Sequence, residues 1–150
     1  MASLYDRLGG EAAISAVVDK FYEFMLSDDI TKHFFANIDM KKQADRQKQF
    51  ITLVTGGPNK YEGVDMKTAH AKFKIDQKAF DETWSNLNKA LAHFNVPQKE
   101  VGELKEVFYS VQADIVNCWS WNVNHIIISF AMKKVKKWTE NELCYNSLIN

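Results

Sequence analysis

The chain has 150 residues, of which 46% are hydrophobic and 25% are charged, as is ordinary for one globular domain. Its 19 Lys and Arg residues balance 19 Asp and Glu residues, so no excess charge calls for nucleic acid as a partner. Its two cysteines, Cys118 and Cys144, form neither a disulfide framework nor a zinc-binding pattern, which favours a reducing compartment.

The sequence shows no targeting or membrane-spanning segment. No apolar signal core or arginine-rich presequence precedes the first predicted helix. The longest dense apolar run, residues 126–132, is far shorter than the roughly 20 residues of a membrane span. We therefore expect a cytoplasmic protein, and an organellar address carried by an internal signal stays open.

Apolar residues recur at three- and four-residue spacing along most of the chain, and the alternation typical of strands is scarce. This pattern predicts an all-α fold with four substantial helices. Asp39, Asp65 and Asp76 are suited to cap the helices that follow them, and two glycine-rich breaks, Gly9-Gly10 and Gly56-Gly57-Pro58-Asn59, interrupt the pattern. We expect helices or helical turns over 3–8, 11–27, 30–35, 40–55, 66–73, 77–94 and 98–116.

Three of the longer predicted helices have an apolar face that we expect to form the core. These faces comprise Ile14, Val17, Val18, Phe21, Tyr22 and Met25 in the first, Phe80, Trp84, Leu87, Leu91 and Phe94 in the second, and Val101, Leu104, Phe108, Val111 and Ile115 in the third.

The predicted helix over 40–55 has an unusual inner stripe. Gln43, Gln47, Phe50 and Val54 share one face, while the opposite face is basic and can remain in water. A buried amide without a partner costs about 1–3 kcal/mol. The two glutamines therefore either lie at a solvated edge of the stripe or face a polar ligand beneath it, and the pattern by itself leaves both interpretations open.

Several signatures occur in an order that resembles the truncated haemoglobins, the 2-on-2 globin family, and specifically its first group. Each signature is weak alone, but the match runs without a break from about residue 3 to residue 116. The signatures are Leu4-Tyr5-Asp6-Arg7-Leu8-Gly9-Gly10, Lys20-Phe21-Tyr22, His33-Phe34-Phe35-Ala36-Asn37-Ile38-Asp39-Met40, Gln43 with Gln47, Phe50, Gly56-Gly57-Pro58-Asn59-Lys60-Tyr61 and Ala69-His70.

The resemblance implies a globin-like 2-on-2 helical sandwich around haem b. It implies that His70 is the proximal iron ligand and that Tyr22, Gln43 and Gln47 stabilise a ligand bound on the distal side. Phe35 is expected to stack against the porphyrin. The other expected lining residues, each of which could equally be plain core, are Phe21, Phe34, Phe50, Tyr61, Met66, Phe73 and Phe80. The remaining histidines, His33, His93 and His125, are read as surface or structural residues.

Two residues depart from the family pattern. Arg46 stands where some relatives carry a histidine that can occupy the sixth iron site. Because arginine cannot ligate iron, we expect an open or water-bound distal site and a contact from Arg46 to a haem propionate or to solvent. A route by which His93 or His125 reaches the iron in an unusual arrangement stays open. Trp84 stands where the first group has a smaller residue near its gas tunnels. Trp84 or Thr83 could narrow such a tunnel, but a plain core role for Trp84 is favoured.

The implied function is reversible binding of dioxygen, and the resemblance also permits removal of nitric oxide as nitrate with an external reductase. The alternative is a non-catalytic globin-like subunit docked in a larger protein assembly through a C-terminal extension. We expect a globin domain over 1–116 and a helical extension over 117–150. The extension combines aromatic, apolar and basic clusters, which could dock on a protein partner or an anionic membrane surface or could fold back on the domain.

Overall fold

The computed structural model describes residues 1–116, and these residues contain helices and no strand. The helices reproduce the predicted all-α organisation, with boundaries that mostly agree within two residues. In chain order they are α1 (Leu4–Leu8), α2 (Gly10–Ser27), a 3₁₀ helix (Lys32–Phe35), α3 (Met40–Val54), α4 (Met66–His70), α5 (Gln77–His93), α6 (Gln98–Ser110) and α7 (Gln112–Ile115).

The predicted extension over 117–150 lies outside the described residues, and so do the interpretations of Cys118, Cys144 and His125. The boundary at residue 116 stays a prediction for the same reason. None of the helices within residues 1–116 combines the length and the apolar character that crossing a bilayer requires.

Local capping sets the starts of three helices, as predicted. The side chain of Asp39 accepts hydrogen bonds from the backbone N–H groups of Lys41 and Lys42. Asp65 caps α4 and Asp76 caps α5 in the same way. A capping side chain contributes about 1 kcal/mol to helix stability, because it satisfies a backbone donor that has no partner inside the helix.

The core forms where α2 packs against α3 and α5, and α5 also packs against α6. The predicted inner face of α2 is fully confirmed: all six of its residues are buried. On α5, Phe80, Trp84 and the two leucines of the predicted face are buried as well. The rings of Phe108 and Tyr109 lie 5.3 and 6.2 Å from Trp84 between centroids, so Trp84 has the core role that the sequence favours.

The prediction that Phe94 is a core residue is wrong. Phe94 is 43% exposed because α5 ends at His93, so the backbone at Phe94 has already left the helix and the helical spacing no longer applies. The predicted single helix over 98–116 is also wrong, since it breaks at Val111 into α6 and the short α7. The short α7 packs against α4, and its Ile115 is only half-buried.

Gly9 joins α1 to α2 in a conformation that favours glycine. Its φ is +100°, and a Cβ there would lie 2.9 Å from the Cβ of Ala13. We expect Gly9→Ala to lower the free energy of unfolding by about 1–3 kcal/mol, through backbone strain and crowding. Gly102 is the control, because it lies in α6 and a Cβ added there would meet no other atom within 4 Å. Gly102→Ala should raise the free energy of unfolding by about 0.5–1 kcal/mol. Equal urea midpoints for the Gly9 and Gly102 variants would contradict the prediction.

Candidate functional site

A buried tyrosine and a glutamine from neighbouring helices form the polar centre of the candidate site. Tyr22 lies on the inner face of α2 and is 6% exposed. The side-chain amide of Gln43, on α3, donates a hydrogen bond of 3.2 Å to the Tyr22 hydroxyl oxygen. Because that oxygen already accepts the amide proton, the hydroxyl's own proton is directed towards another acceptor. The pair can therefore offer a hydrogen-bond donor inside an otherwise apolar region.

Burial raises the pKa of Tyr22 to about 12, and the hydrogen bond from Gln43 opposes that rise in part. The cause is that ionising the phenol would place a charge among apolar side chains. The hydroxyl consequently keeps its proton throughout the physiological range.

This pKa shift predicts a distinct loss of stability at alkaline pH. Tyrosines of the unfolded chain ionise near pH 10. The stability that the neutral Tyr22 contributes is therefore fully present below pH 10 and is lost as the pH rises towards 12. The expected loss is about 2–3 kcal/mol. Urea unfolding between pH 8 and pH 12 measures this loss. In the Tyr22→Phe variant the free energy of unfolding should fall less steeply as the pH rises. An equally steep fall in the two proteins would contradict the prediction.

Gln47 and Phe50 lie on the same side of α3 as Gln43. Both are half-buried, as the shared stripe requires. Within residues 1–116 Gln47 makes no hydrogen bond to Tyr22 or Gln43, so the structure brings together only two of the three predicted distal residues by direct contact. The ring of Phe50 meets Tyr61 with the centroids 5.6 Å apart.

His70 occupies the last position of the short helix α4 and is half-buried. Its Nδ1 lies 2.7 Å from the carbonyl oxygen of Met66, one turn earlier. A carbonyl can only accept, so Nδ1 carries the proton and a neutral ring holds its lone pair on Nε2. This tautomer, fixed by a backbone carbonyl, is the form that a metal-ligating histidine adopts. The donor chemistry of His70 therefore fits a haem iron.

The 3₁₀ helix connects the tyrosine side of the site with the histidine side through two adjacent aromatic rings. Phe35 meets Tyr22 edge-on with the centroids 5.7 Å apart. Its neighbour Phe34 meets Phe73 edge-on at 6.3 Å. The backbone N–H of Phe73 in turn donates to the carbonyl of His70. Two pairs of aromatic rings thus link three segments, namely α2, the 3₁₀ helix and the turn after α4, and aromatic side chains of this kind suit a flat apolar group.

The other predicted lining residues have different surroundings. Phe21 is buried beside Tyr22, with the ring centroids 5.0 Å apart. Tyr61 donates its hydroxyl to the carbonyl of Val64, and its pKa is raised by burial, while the nearby charge of Arg46 opposes the rise. Arg46 itself is exposed. Phe80 is buried against α6, with its ring 4.7 Å from that of Phe108, so its ring contacts are those of a core residue.

Sequence reasoning missed a buried polar network at the end of α2. Asn86 is 1% exposed and donates to a carboxylate oxygen of Asp28 at 3.1 Å. The fully buried Thr31 donates its hydroxyl to the carbonyl of Met25 at 2.8 Å. These bonds stabilise the turn between the end of α2, the helix that carries Tyr22, and the start of the 3₁₀ helix. Asn86 immediately precedes Leu87 and therefore lies off the predicted apolar stripe of α5, so helical spacing gave no signal for its burial.

Comparison with known proteins identifies the family of the chain. The family model described as bacterial-like globin matches residues 3–117. The Group 1 truncated hemoglobin of Tetrahymena thermophila is 37% identical over 112 residues, covering 75% of this chain and 93% of that protein. The Group 1 truncated hemoglobin GlbN of Synechocystis sp. is 40% identical over 111 residues, covering 71% and 90% respectively.

Solved structures give the same result. The truncated hemoglobin of Tetrahymena pyriformis, in its Fe(III) form, is 35% identical and superposes with a TM-score of 0.76 over 78% of this chain and 100% of that one. A 2/2 hemoglobin from Synechococcus sp., in the cyanomet state with covalently attached heme, is 37% identical with a TM-score of 0.73 over the same shares. The chain therefore belongs to the bacterial-like globin family and is a group 1 truncated haemoglobin, a haem-binding globin whose ligand is dioxygen.

Proposed function

We propose that this globin holds haem b through His70 and retains dioxygen through hydrogen bonds from Tyr22, Gln43 and Gln47. The observation that carries the proposal is the hydrogen bond from Gln43 to the Tyr22 hydroxyl oxygen. Haem, when bound, would supply an iron able to bind a diatomic gas. The imidazole of His70 would hold that haem, and Tyr22, Gln43 and Gln47 would direct hydrogen-bond donors towards the gas.

The distal residues are suited to dioxygen more than to an apolar gas. Dioxygen held in a globin carries partial negative charge, and donors placed in a site with little water stabilise such charge strongly. Tyr22 keeps its proton because its pKa is raised to about 12. Gln43 orients that proton by donating to the hydroxyl oxygen. Gln47 would add a second amide donor from the same face of α3.

The Tetrahymena pyriformis protein offers independent support. Its solved variants include one in which a tyrosine is replaced by phenylalanine and two in which a glutamine is replaced by glutamate. The first of these glutamines follows the tyrosine by 21 positions, and the second glutamine follows the first by 4. Tyr22, Gln43 and Gln47 have the same two separations. The same residue types at the same separations, on a shared fold, support the assignment of these three side chains.

We extend the proposal to the oxidation of nitric oxide. Nitric oxide and dioxygen together with one electron give nitrate, so each nitrate formed consumes one electron from an external donor. A site that holds dioxygen firmly favours this reaction, because the dioxygen stays in place until nitric oxide arrives. The binding site needs no additional acid or base for it, since no proton enters the balance.

Optical spectra of the full-length, haem-loaded protein test the proposal. We expect stable ferric, ferrous and carbon-monoxide forms, a dioxygen complex that decays slowly, and rapid conversion of added nitric oxide to a stoichiometric amount of nitrate. Pyridine extraction of the haem identifies its type. A protein that takes up no haem would refute the proposal as a whole, whereas stable dioxygen binding without nitrate formation would refute only the extension.

A further inference from the structure

Charge is divided unevenly along the described residues, although the whole chain is neutral. Residues 39–78, which include α3 and α4, contain nine Lys or Arg against five Asp or Glu. Residues 1–38 and residues 79–116 each contain three Lys or Arg against six Asp or Glu. The segments that carry Gln43 and His70 are therefore basic, and the segments on either side of them in sequence are acidic.

The basic residues of the central segment also differ from the others in their pairing. Among the described residues, seven of these nine side chains make no ion pair, and all seven are exposed. In the flanking segments, by contrast, four of the six basic side chains are paired with carboxylates. The seven, which we call the basic rim, are Lys41, Arg46, Lys60, Lys67, Lys72, Lys74 and Lys78.

Several members of the basic rim adjoin residues of the candidate haem site. Arg46 lies next to Gln47 in sequence, and its charge acts on Tyr61. Lys67 precedes His70 by three positions, which places the two side chains on neighbouring parts of the α4 surface. The ammonium group of Lys72 lies 5.1 Å from the ring centroid of Phe73. Three of the seven unpaired charges, those of Arg46, Lys67 and Lys72, therefore lie beside side chains that we assign to haem binding.

We propose that the basic rim is the docking surface for an acidic protein that donates one electron to the haem. This inference rests on the proposed function, because forming nitrate consumes one electron that the chain does not supply. In the transfer, the donor's redox centre loses one electron and the ferric iron is reduced to ferrous. Docking beside the haem-binding side chains shortens the path for that electron.

The chemistry of the rim favours a compact acidic partner. Exposed, unpaired lysines keep their hydration and attract opposite charge over roughly 10 Å at 0.1 M salt, which speeds encounter more than it tightens the complex. An extended polyanion would also meet the acidic segments, which would repel it. A protein with one acidic patch can meet the rim and avoid them. The lack of net charge on the chain makes this local complementarity the deciding factor.

Two matched charge reversals test the proposal in the full-length protein. Lys67→Glu/Lys72→Glu changes the rim, and Lys99→Glu/Lys105→Glu changes α6 by the same charge. Each pair consists of exposed lysines without an ion pair among the described residues, and in each pair one ammonium group lies over an aromatic ring. The probe is a reduced, acidic plant-type ferredoxin with a 2Fe–2S cluster. The readouts are the second-order rate constant for reduction of the ferric protein and, separately, binding of oxidised ferredoxin to the unloaded chain by NMR.

We expect the rim variant to be reduced about tenfold more slowly than the wild type at low salt and to bind oxidised ferredoxin more weakly. The α6 variant should behave like the wild type, and added salt should slow the wild type towards the rim variant. Neutral lumiflavin semiquinone should reduce all three proteins at one rate. If lumiflavin reduces none of them, the proposed function has failed, and the binding measurement still decides the docking proposal.

Three results would overturn the docking proposal. The first is that rim and α6 variants are reduced equally fast and bind ferredoxin equally well. The second is that the loss instead follows neutralisation of Lys133, Lys134, Lys136 and Lys137, the basic cluster beyond the described residues. The third is that the rim variant is reduced by ferredoxin as fast as the wild type but loses another interaction. That interaction would be salt-sensitive binding to phosphatidylserine vesicles or self-association measured by sedimentation.

Discussion

Replacing His70 with glycine should abolish stable binding of haem by the protein. The substitution removes the only side chain that we assign to the iron, and with it the Nδ1 contact to Met66 that fixes the imidazole. Loss of a supporting contact alone costs roughly 10–100-fold in affinity at metal sites, so loss of the ligand should cost at least that much. Transfer of haem to an excess of apomyoglobin, followed by absorbance, measures the rate of loss.

Added imidazole distinguishes a lost ligand from a damaged fold. Free imidazole can enter the space that the glycine leaves and restore the spectrum, whereas a misfolded chain would not recover. His93→Gly is the matched control, because His93 is an exposed histidine at the end of α5. If the His93 variant lost haem as fast as the His70 variant, or if His70→Gly kept its haem without imidazole, the proximal assignment would be wrong.

Replacing Tyr22 with phenylalanine should speed the dissociation of dioxygen by roughly 10–150-fold. The estimate follows from about 1.5–3 kcal/mol for a hydrogen bond to a charged acceptor. The edge-on contact with Phe35 should survive, because phenylalanine keeps the ring. Stopped-flow displacement of dioxygen by carbon monoxide measures the rate.

Gln43→Leu separates the two parts of the distal pair. It removes the amide donor to the Tyr22 oxygen, so the hydroxyl is free to rotate away from the ligand. We expect an effect in the same direction as that of Tyr22→Phe but smaller, and little further change when the two are combined. Full additivity of the two variants would contradict a role for Gln43 in orienting Tyr22. Unchanged dissociation in Tyr22→Phe would remove Tyr22 from the ligand site.

Much of the fold follows from interactions between residues that are close in sequence. The caps at Asp39, Asp65 and Asp76 were predictable because each side chain bonds to backbone groups two or three residues ahead. The buried face of α2 was predictable because helical spacing places its six apolar residues on one side. The identity of the family was also readable, because its signatures occur in order along the chain.

Other features depend on contacts that sequence spacing does not specify. Helical spacing did not reveal the end of α6 at Ser110, since no glycine or proline marks it in the sequence and the short α7 that follows packs against α4. It also did not reveal that Asn86 is buried against Asp28, because the two residues come from different parts of the chain. The sequence predicts that the basic face of α3 lies in water, but which lysines form ion pairs depends on contacts between elements, such as that of Lys48 with Asp19.

The sequence by itself determined that the chain is helical, where most helices begin and which faces are apolar, and its resemblance to the truncated haemoglobins named Tyr22, Gln43, Gln47 and His70 as candidate site residues. The helical properties are local, because they depend on residues within about one helical turn of each other. The tertiary structure alone decided that the Gln43 amide reaches the Tyr22 hydroxyl and that Gln47 does not. That choice depends on how α2 packs against α3, and helix packing is set by the shapes of both surfaces together.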